Sequence, residues 1–310
     1  MKQLNSGLNS GKVLLSGASG MLGPAISDAL ERQGVRVLRL VRRVPGTANE
    51  LQWAPSGAGI FQPEGLEGLS AAVHLSGANV AARRWNEAYK QEMRDSRVTS
   101  TRTLSQTLAR LKNPPKTLIT ASAVGLYGDR GDEVLSEDSA AGVGYYFPEL
   151  CMAWEAAAQP AERAGIRVVH LRFGMVIARD GGAMARLAPL FRLGLGGRLG
   201  SGRQWMSWVS EPDAVSAVLY LLEETTLFGA INVVAPEPVT NATFTRELAR
   251  AVHRPAVLPA PAFALRLAFG EMADEALLAS TRAVPKRLQE AGFVFKHPTL
   301  AQALAEALRS

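Results

Sequence analysis

The stretch Val13-Leu14-Leu15-Ser16-Gly17-Ala18-Ser19-Gly20-Met21-Leu22-Gly23 decides the fold. Its start is an apolar run of strand length, and the residues after it carry apolar side chains at helical spacing. Between the two, Gly17, Gly20 and Gly23 stand as G-x-x-G-x-x-G, a variant of the G-x-G-x-x-G dinucleotide fingerprint. In such a loop the glycines allow a tight turn, close backbone approach to a pyrophosphate, and close packing of helix on strand. The helix start then offers free N–H groups and the positive end of its dipole to phosphate. The chain therefore reads as one built around a nucleotide.

Working outward, residues 21–33 read as a helix with Leu22, Ile26 and Leu30 on one face, closed by Gly34. Residues 35–41 are rich in Val and Leu and read as a second strand, completing a right-handed βαβ unit. Folds that bind NAD place an Asp or Glu after this strand to accept the ribose 2′-hydroxyl. Here Val41-Arg42-Arg43 holds no acid. Two guanidinium forks suit a 2′-phosphate, so the expected cofactor is NADP rather than NAD. The plainer reading, a solvated basic loop, is weaker beside the glycine fingerprint.

The rest of the chain continues the alternation. Residues 47–69 read as irregular or short-stranded, and 71–78 as a buried strand. That strand ends in a small-residue turn, Leu75-Ser76-Gly77-Ala78, suited to run beside a ribose. His74 on this apolar strand reads as a packed histidine. Residues 83–112 form one long helix or two nearly continuous ones, 116–122 a strand, 144–165 a helix after an acidic loop at 129–138, and 167–177 a strand. A helix over 181–193, a glycine-rich loop over 194–202, a helix over 213–224 and a strand over 230–234 follow. Four helical segments close the chain, at 241–253, 262–278, 285–291 and 300–308. The expected fold class is α/β, a doubly wound parallel sheet with a small C-terminal helical domain. The organisation expected is a flexible tail over 1–11, a nucleotide-binding domain over 12–240 and the helical domain over 241–310.

Composition narrows the function. Apolar residues make up 47% and charged residues 20% of the 310, enough for a sizeable core. No apolar run approaches the roughly 18–20 residues of a membrane helix, and residues 1–11 carry no apolar signal core, so a cytoplasmic protein is expected. A lone cysteine, Cys151, excludes an intrachain disulfide. The net charge of +6 does not indicate nucleic acid. Lys and Arg are interspersed with acids along the helices, and no basic run has interleaved aromatics. His74, His170, His253 and His297 show no metal-ligand spacing, so no metal is expected. No G-x-S-x-G elbow marks a hydrolase.

Three further motifs follow the glycine loop in order: Ala121-Ser122-Ala123-Val124-Gly125-Leu126-Tyr127-Gly128, Leu171-Arg172-Phe173-Gly174-Met175-Val176, and Trp208-Val209-x-x-x-Asp213. With them the chain resembles an extended short-chain dehydrogenase/reductase. It is similar in particular to the nucleoside-diphosphate-sugar epimerase-like branch sometimes called cell-division inhibitors. That branch is marked by Arg84-Trp85, Arg94-Asp95-Ser96-Arg97, Leu150-Cys151-x-x-Trp154-Glu155, Phe191-Arg192-Leu193-Gly194-Leu195-Gly196-Gly197, His253-Arg254-Pro255 and Gly270-Glu271-Met272. The resemblance spans about residues 12–308. It implies a Rossmann domain that binds NADP through Gly17, Ser19, Gly20, Met21, Leu22, Gly23, Arg42, Arg43, Leu75, Ser76, Gly77 and Ser122. It implies a C-terminal domain of uncharacterised role. By analogy with dehydrogenases that pair through long helices, a homodimer through 86–111 and 144–165 is expected.

The chain departs from this pattern where proton transfer occurs. Hydride-transferring members use a Ser or Thr four residues before the tyrosine of the Tyr-Gly pair, and a Tyr-x-x-x-Lys on the next helix. Those positions here hold Ala123, Phe147 and Cys151. A phenyl ring has no proton to give, and a thiol without a neighbouring cation offers no comparable electrostatic help. Tyr145 and Tyr146 lie close by, but neither has a lysine four residues on. Substitutes are sought among Ser122, Tyr127, Glu149, Cys151 and Arg172, with Arg172 also a candidate clamp for an anionic substrate or a structural hydrogen bonder. Arg203 and Trp205 are candidate substrate contacts on a loop read as a mobile cover. Two functions stay open. One is an NADP-dependent oxidoreductase or epimerase on an unidentified small substrate. The other is a non-catalytic NADP(H)-binding sensor or partner-binding regulator.

Overall fold

The computed structural model describes residues 11–55, 57–179 and 181–309; the tail reading of 1–11 lies outside them apart from Gly11. Strand β1 (Lys12–Ser16) enters helix α1 (Gly23–Arg32), which returns to β2 (Arg36–Val41). Strands β3 (Glu50–Ala54), β4 (Gly59–Ile60) and β5 (Ala71–His74) lead to α2 (Glu87–Arg94) and α3 (Ser100–Ala109). Then come β6 (Thr117–Ala123), β7 (Val134–Leu135), α4 (Tyr146–Ala156), α5 (Gln159–Arg163), β8 (Arg167–Phe173) and β9 (Met175–Ile177). Helix α6 (Met184–Arg192), β10 (Trp205–Met206), β11 (Trp208–Ser210), α7 (Glu211–Glu223) and β12 (Gly229–Val233) follow. The tail holds β13 (Val239–Thr240), α8 (Asn241–Ala251), α9 (Ala262–Phe269), β14 (Arg282–Ala283), α10 (Lys286–Glu290) and α11 (Leu300–Ala307).

Eight strands form one sheet in the order β12-β8-β6-β5-β1-β2-β3-β4, parallel except for the β3–β4 edge. The direction of winding reverses at β1, which lies between β2 and β5, so the carboxyl ends of β1 and β5 form a ligand crevice. Central parallel strands are buried on both faces, as the apolar runs require. Val13 and Leu15 face α1 and α7 with Ile26, Leu30, Val218 and Leu221. Leu14 faces the opposite layer with Leu38, Leu104, Leu108 and Ala161. A third core joins Trp208, Met184 and Phe191 to Phe244, Leu248, Leu300 and Leu304, so the tail and the loops above the sheet share one apolar interior.

The Rossmann sheet and the small C-terminal helical region are as expected, with three local corrections. Residues 47–69, read as irregular or short-stranded, do supply the two short strands β3 and β4 at the sheet edge. The strand expected over 167–177 breaks at Gly174, where a Cβ would lie 2.6 Å from the Ser207 carbonyl oxygen. After the break β9 leaves the main sheet and pairs with β11. The helix expected over 144–165 divides into α4 and α5, with Pro160 in the first turn of α5. Proline removes an N–H and clashes with the preceding turn, so the chain restarts rather than continues. The tail is not all-helical, since Arg282–Ala283 pairs in parallel with Val134–Leu135. The expected long helix over 83–112 runs from α2 through a π-helical turn, Asp95–Thr99, into α3.

Candidate functional site

The glycine loop fits a dinucleotide by its own geometry. Gly17 has φ +72°, and a Cβ there would lie 2.7 Å from the Leu75 carbonyl carbon and 2.9 Å from the Ser76 nitrogen. At Gly23 a Cβ would sit 2.4 Å from the Gly17 oxygen. The loop thus lies against the Leu75-Ser76 backbone because Gly17 carries no side chain, and folds tightly on itself because Gly23 carries none. Ser19, Gly20 and Met21 are exposed above it. Helix α1 starts with no side-chain cap and no acid in its first turn, leaving its N–H groups for an anion.

Beneath the loop, Ser16, Ser76, His74 and Ser100 form a buried chain. The Ser100 hydroxyl donates to the Ser96 carbonyl at 2.7 Å, so it accepts from His74 Nε2 at 3.2 Å. His74 Nδ1 is then the acceptor for the Ser16 hydroxyl at 2.5 Å, and Ser76 donates to Ser16 at 3.2 Å. Burial holds the imidazole neutral, with its pKa down to about 3. His74 is packed, as read from the sequence.

At the other end of the loop the two arginines differ. Arg43 is held bidentately by Glu50, at 2.9 and 2.6 Å, and Glu50 also accepts from the Gly46 N–H at 2.7 Å. The bond from Arg43 brings the Glu50 pKa down to about 2. Arg42 is exposed and has no ion-pair partner among the described residues. Of the two arginines read as 2′-phosphate forks, Arg42 is the one without a carboxylate partner among the described residues.

Across the crevice, Ser122 on β6, Arg172 on β8 and Asn232 on β12 lie in register on neighbouring strands. Arg172 donates to both oxygens of Glu155, at 2.8 and 2.9 Å, and Ser122 donates to the same carboxylate at 2.7 Å. The third arm of Arg172 reaches the Tyr127 oxygen at 3.0 Å, and Tyr127 donates to Asn232 Oδ1 at 2.8 Å. Burial opposes the charge on both partners of the ion pair, but their mutual hydrogen bonds prevail. The Glu155 pKa is lowered and that of Arg172 is raised. Burial also raises the Tyr127 phenol. The structure therefore brings Ser122, Tyr127 and Arg172 together, but as a closed network. Arg172 is bound to Glu155 rather than presented to an anionic substrate.

The departures read from the sequence are physical in the fold. The Phe147 ring lies so close over the Val124–Tyr127 turn that a Cβ on Gly125 would be 2.4 Å from it. Cys151 is fully buried among Leu126, Tyr127, Leu135 and Ala283. Burial pushes its thiol up to about 12, so no thiolate forms at neutral pH. Yet the thiol does have a neighbouring cation, Arg97, which acts in the opposite direction. That corrects the expectation of a site without one. The Tyr146 hydroxyl is spent on the Lys90 carbonyl at 2.6 Å. Tyr145 and Glu149 are exposed.

The substrate-side loop over 194–202 is not a free cover. Leu258 donates to Gly196, Ala260 to Arg198 and Gly200 to Ala260, pinning the loop to the tail. Trp205 donates to Asp132 at 2.7 Å and lies under the Arg282 guanidinium, while Arg203 is exposed. Sequence reasoning missed Glu275, whose carboxylate accepts from the Tyr146 and Phe147 N–H groups at 3.1 and 2.6 Å and so caps α4 from the tail. It also missed the role of Glu155, although that residue stood in a quoted motif.

Among the described residues no group of three or more His, Cys, Asp or Glu could hold a metal, and no helix is long and apolar enough to cross a membrane. Comparison with known proteins then gives a match to the NAD dependent epimerase/dehydratase family over residues 13–233 and to a domain of unknown function, DUF1731, over 260–307. An epimerase family protein of Mycobacterium bovis is 47% identical over 295 residues, covering 95% of this chain and 97% of the relative. The crystal structure of human epimerase family protein SDR39U1 with NADPH superposes with a TM-score of 0.88 at 32% identity, over 96% of this chain and 99% of that one. A nucleoside-diphosphate sugar epimerase from Corynebacterium glutamicum has a TM-score of 0.80 at 32% identity, covering 98% of this chain and 59% of that one.

Proposed function

The chain belongs to the NAD dependent epimerase/dehydratase family, and from that premise we propose that it binds NADP(H) and holds it without a Tyr-x-x-x-Lys proton relay, as a sensor or partner-binding regulator. The single observation that carries this reading is the filled state of the three acid/base positions. Ala123 has no hydroxyl, Phe147 is packed against Gly125, and Cys151 is buried with its thiol protonated. The cofactor, when bound, supplies a hydride. The residues at these positions offer no proton to accompany it. The test is an NADPH oxidation screen against carbonyl compounds and sugar nucleotides. Tight cofactor binding with a blank panel is the expected result, and a substrate that turns over refutes the reading.

A second reading, an NADP-dependent epimerase or reductase on a small anionic or nucleotide-sugar substrate, is favoured by one observation. Tyr145, 47% exposed at the start of α4, presents a phenol beside the Tyr127-Gly128 turn. If the panel yields a substrate, Tyr145→Phe is expected to abolish turnover while leaving NADPH affinity unchanged.

The preference for NADP over NAD rests on Arg42, backed by Arg43, and is supported by the NADPH bound in the human relative. Charge-assisted hydrogen bonds to a phosphate contribute about 1.5–3 kcal/mol. Arg42→Ala combined with Arg43→Ala should therefore weaken NADPH about 10- to 100-fold in a fluorescence titration and leave NADH unchanged. Arg42→Ala alone should carry most of that loss, because Arg43 is already engaged by Glu50. Equal losses for both cofactors would refute recognition of the 2′-phosphate.

A further inference from the structure

Arg97 stands in the π-helical turn between α2 and α3, is 7% exposed, and has no carboxylate partner among the described residues. It donates to the Met93 carbonyl at 3.3 Å and the Ala78 carbonyl at 2.8 Å, and its guanidinium lies 5.0 Å from the Trp154 ring centre. Nε is buried without a partner. The ionisable groups that act on it are Cys151, Tyr146 and Tyr89, and burial raises the pKa of all three, so they are uncharged at neutral pH. An arginine stays protonated even when buried. The fold has thus placed a full positive charge, not neutralised by any acid among the described residues, inside the protein.

Its position gives that charge a use. A dinucleotide lies across the carboxyl ends of the strands with its pyrophosphate on the α1 N-terminus. The adenosine half runs toward β2 and Arg42, so the nicotinamide half runs the other way, over β5 and β6. Arg97 packs against the turn that follows β5, where a Cβ on Gly77 would lie 3.2 Å from its Cζ. Its charge also acts on Cys151, the position at which the expected lysine is missing.

We propose that Arg97 is the fixed cation of the nicotinamide end of the site, supplied from the α2–α3 junction instead of α4, and that it selects NADPH over NADP+. The oxidised nicotinamide ring carries a positive charge and the reduced ring carries none. A permanent buried cation nearby therefore repels only the oxidised form, with little screening in a low-dielectric interior. Arginine provides the charge of the missing lysine without being able to relay a proton. This rests on the cleft being the NADP(H) site proposed above.

The test is titration of the full chain with NADPH, NADP+ and adenosine 2′,5′-bisphosphate, which reports the adenosine half alone. Wild-type protein should bind NADPH roughly tenfold more tightly than NADP+. Arg97→Lys should keep that ratio, and Arg97→Gln should bring it toward unity with bisphosphate affinity unchanged. A purely structural arginine would move both cofactors together and leave the ratio alone. Parity in the wild-type protein overturns the proposal whatever the variants do, as does an unchanged ratio in Arg97→Gln. Failure of all three ligands to bind would instead refute the cofactor site itself, and the proposal with it.

Discussion

Glu155→Gln is expected to lower folding stability by about 3–5 kcal/mol, because it leaves Arg172 charged, buried and unpaired. Side-chain exposures of 10% for Arg172 and 14% for Glu155 place the pair within the protein. The glutamine keeps the size of the glutamate but removes the charge, and Ser122 and both Arg172 nitrogens depend on that carboxylate. The expected readout is a fall of roughly 5–8 °C in the thermal midpoint, since each kcal/mol shifts a protein of this size by about 1.5 °C. Removing both charges, as Glu155→Gln with Arg172→Met, should restore much of the loss, because the cost lies in the unpaired ion rather than in the absence of the pair. A single variant as stable as the wild type would mean that Arg172 finds water or another acceptor, and the network would lose its structural role.

The network shows what a linear reading reaches and what it does not. The glycine loop, its strand and its helix were legible because turn chemistry and apolar periodicity are local. Ala123, Phe147 and Cys151 were legible as departures because their spacing is local too. Arg172 was legible as a residue of interest, with a substrate clamp and a structural hydrogen bonder both open, but its partner was not. That partner lies on α4, and only the packing of α4 against β6, beside β8, brings the two together. Glu275 caps α4 from 128 residues away, a contact with no local signature. The same holds for the loop after α6, where glycines suggested mobility. Gly197 in fact lets the Leu258 backbone approach so closely that a Cβ would clash, and the pairing of 196–200 with 258–260 fixes the loop. Arg97 stood in a quoted motif. Its burial against the Gly77 turn depends on the π-helical turn, which no apolar pattern in the sequence announced.

His74→Gln is expected to flatten the acid side of the stability profile. In the folded state the imidazole is neutral down to a pKa of about 3, and an unfolded chain protonates it near 6.5. Between those values the unfolded state binds a proton that the folded state does not, so stability falls as pH falls. From this one group the loss is about 2–3 kcal/mol on going from pH 7.5 to 4.5. The geometry gives the reason: Nδ1 must accept from Ser16, whose own oxygen already receives the Ser76 hydroxyl beneath the glycine loop. Protonating Nδ1 would set a donor against a donor in a site with no water-facing side. Glutamine has an N–H for Ser100 and an oxygen for Ser16 but no charge to gain. Urea titrations at pH 7.5 and 4.5 should therefore show the variant losing about 2–3 kcal/mol less than the wild type over that interval. Equal losses in the two proteins would mean that His74 is protonated in the native state, and the hydrogen-bond directions assigned beneath the cofactor loop would be wrong.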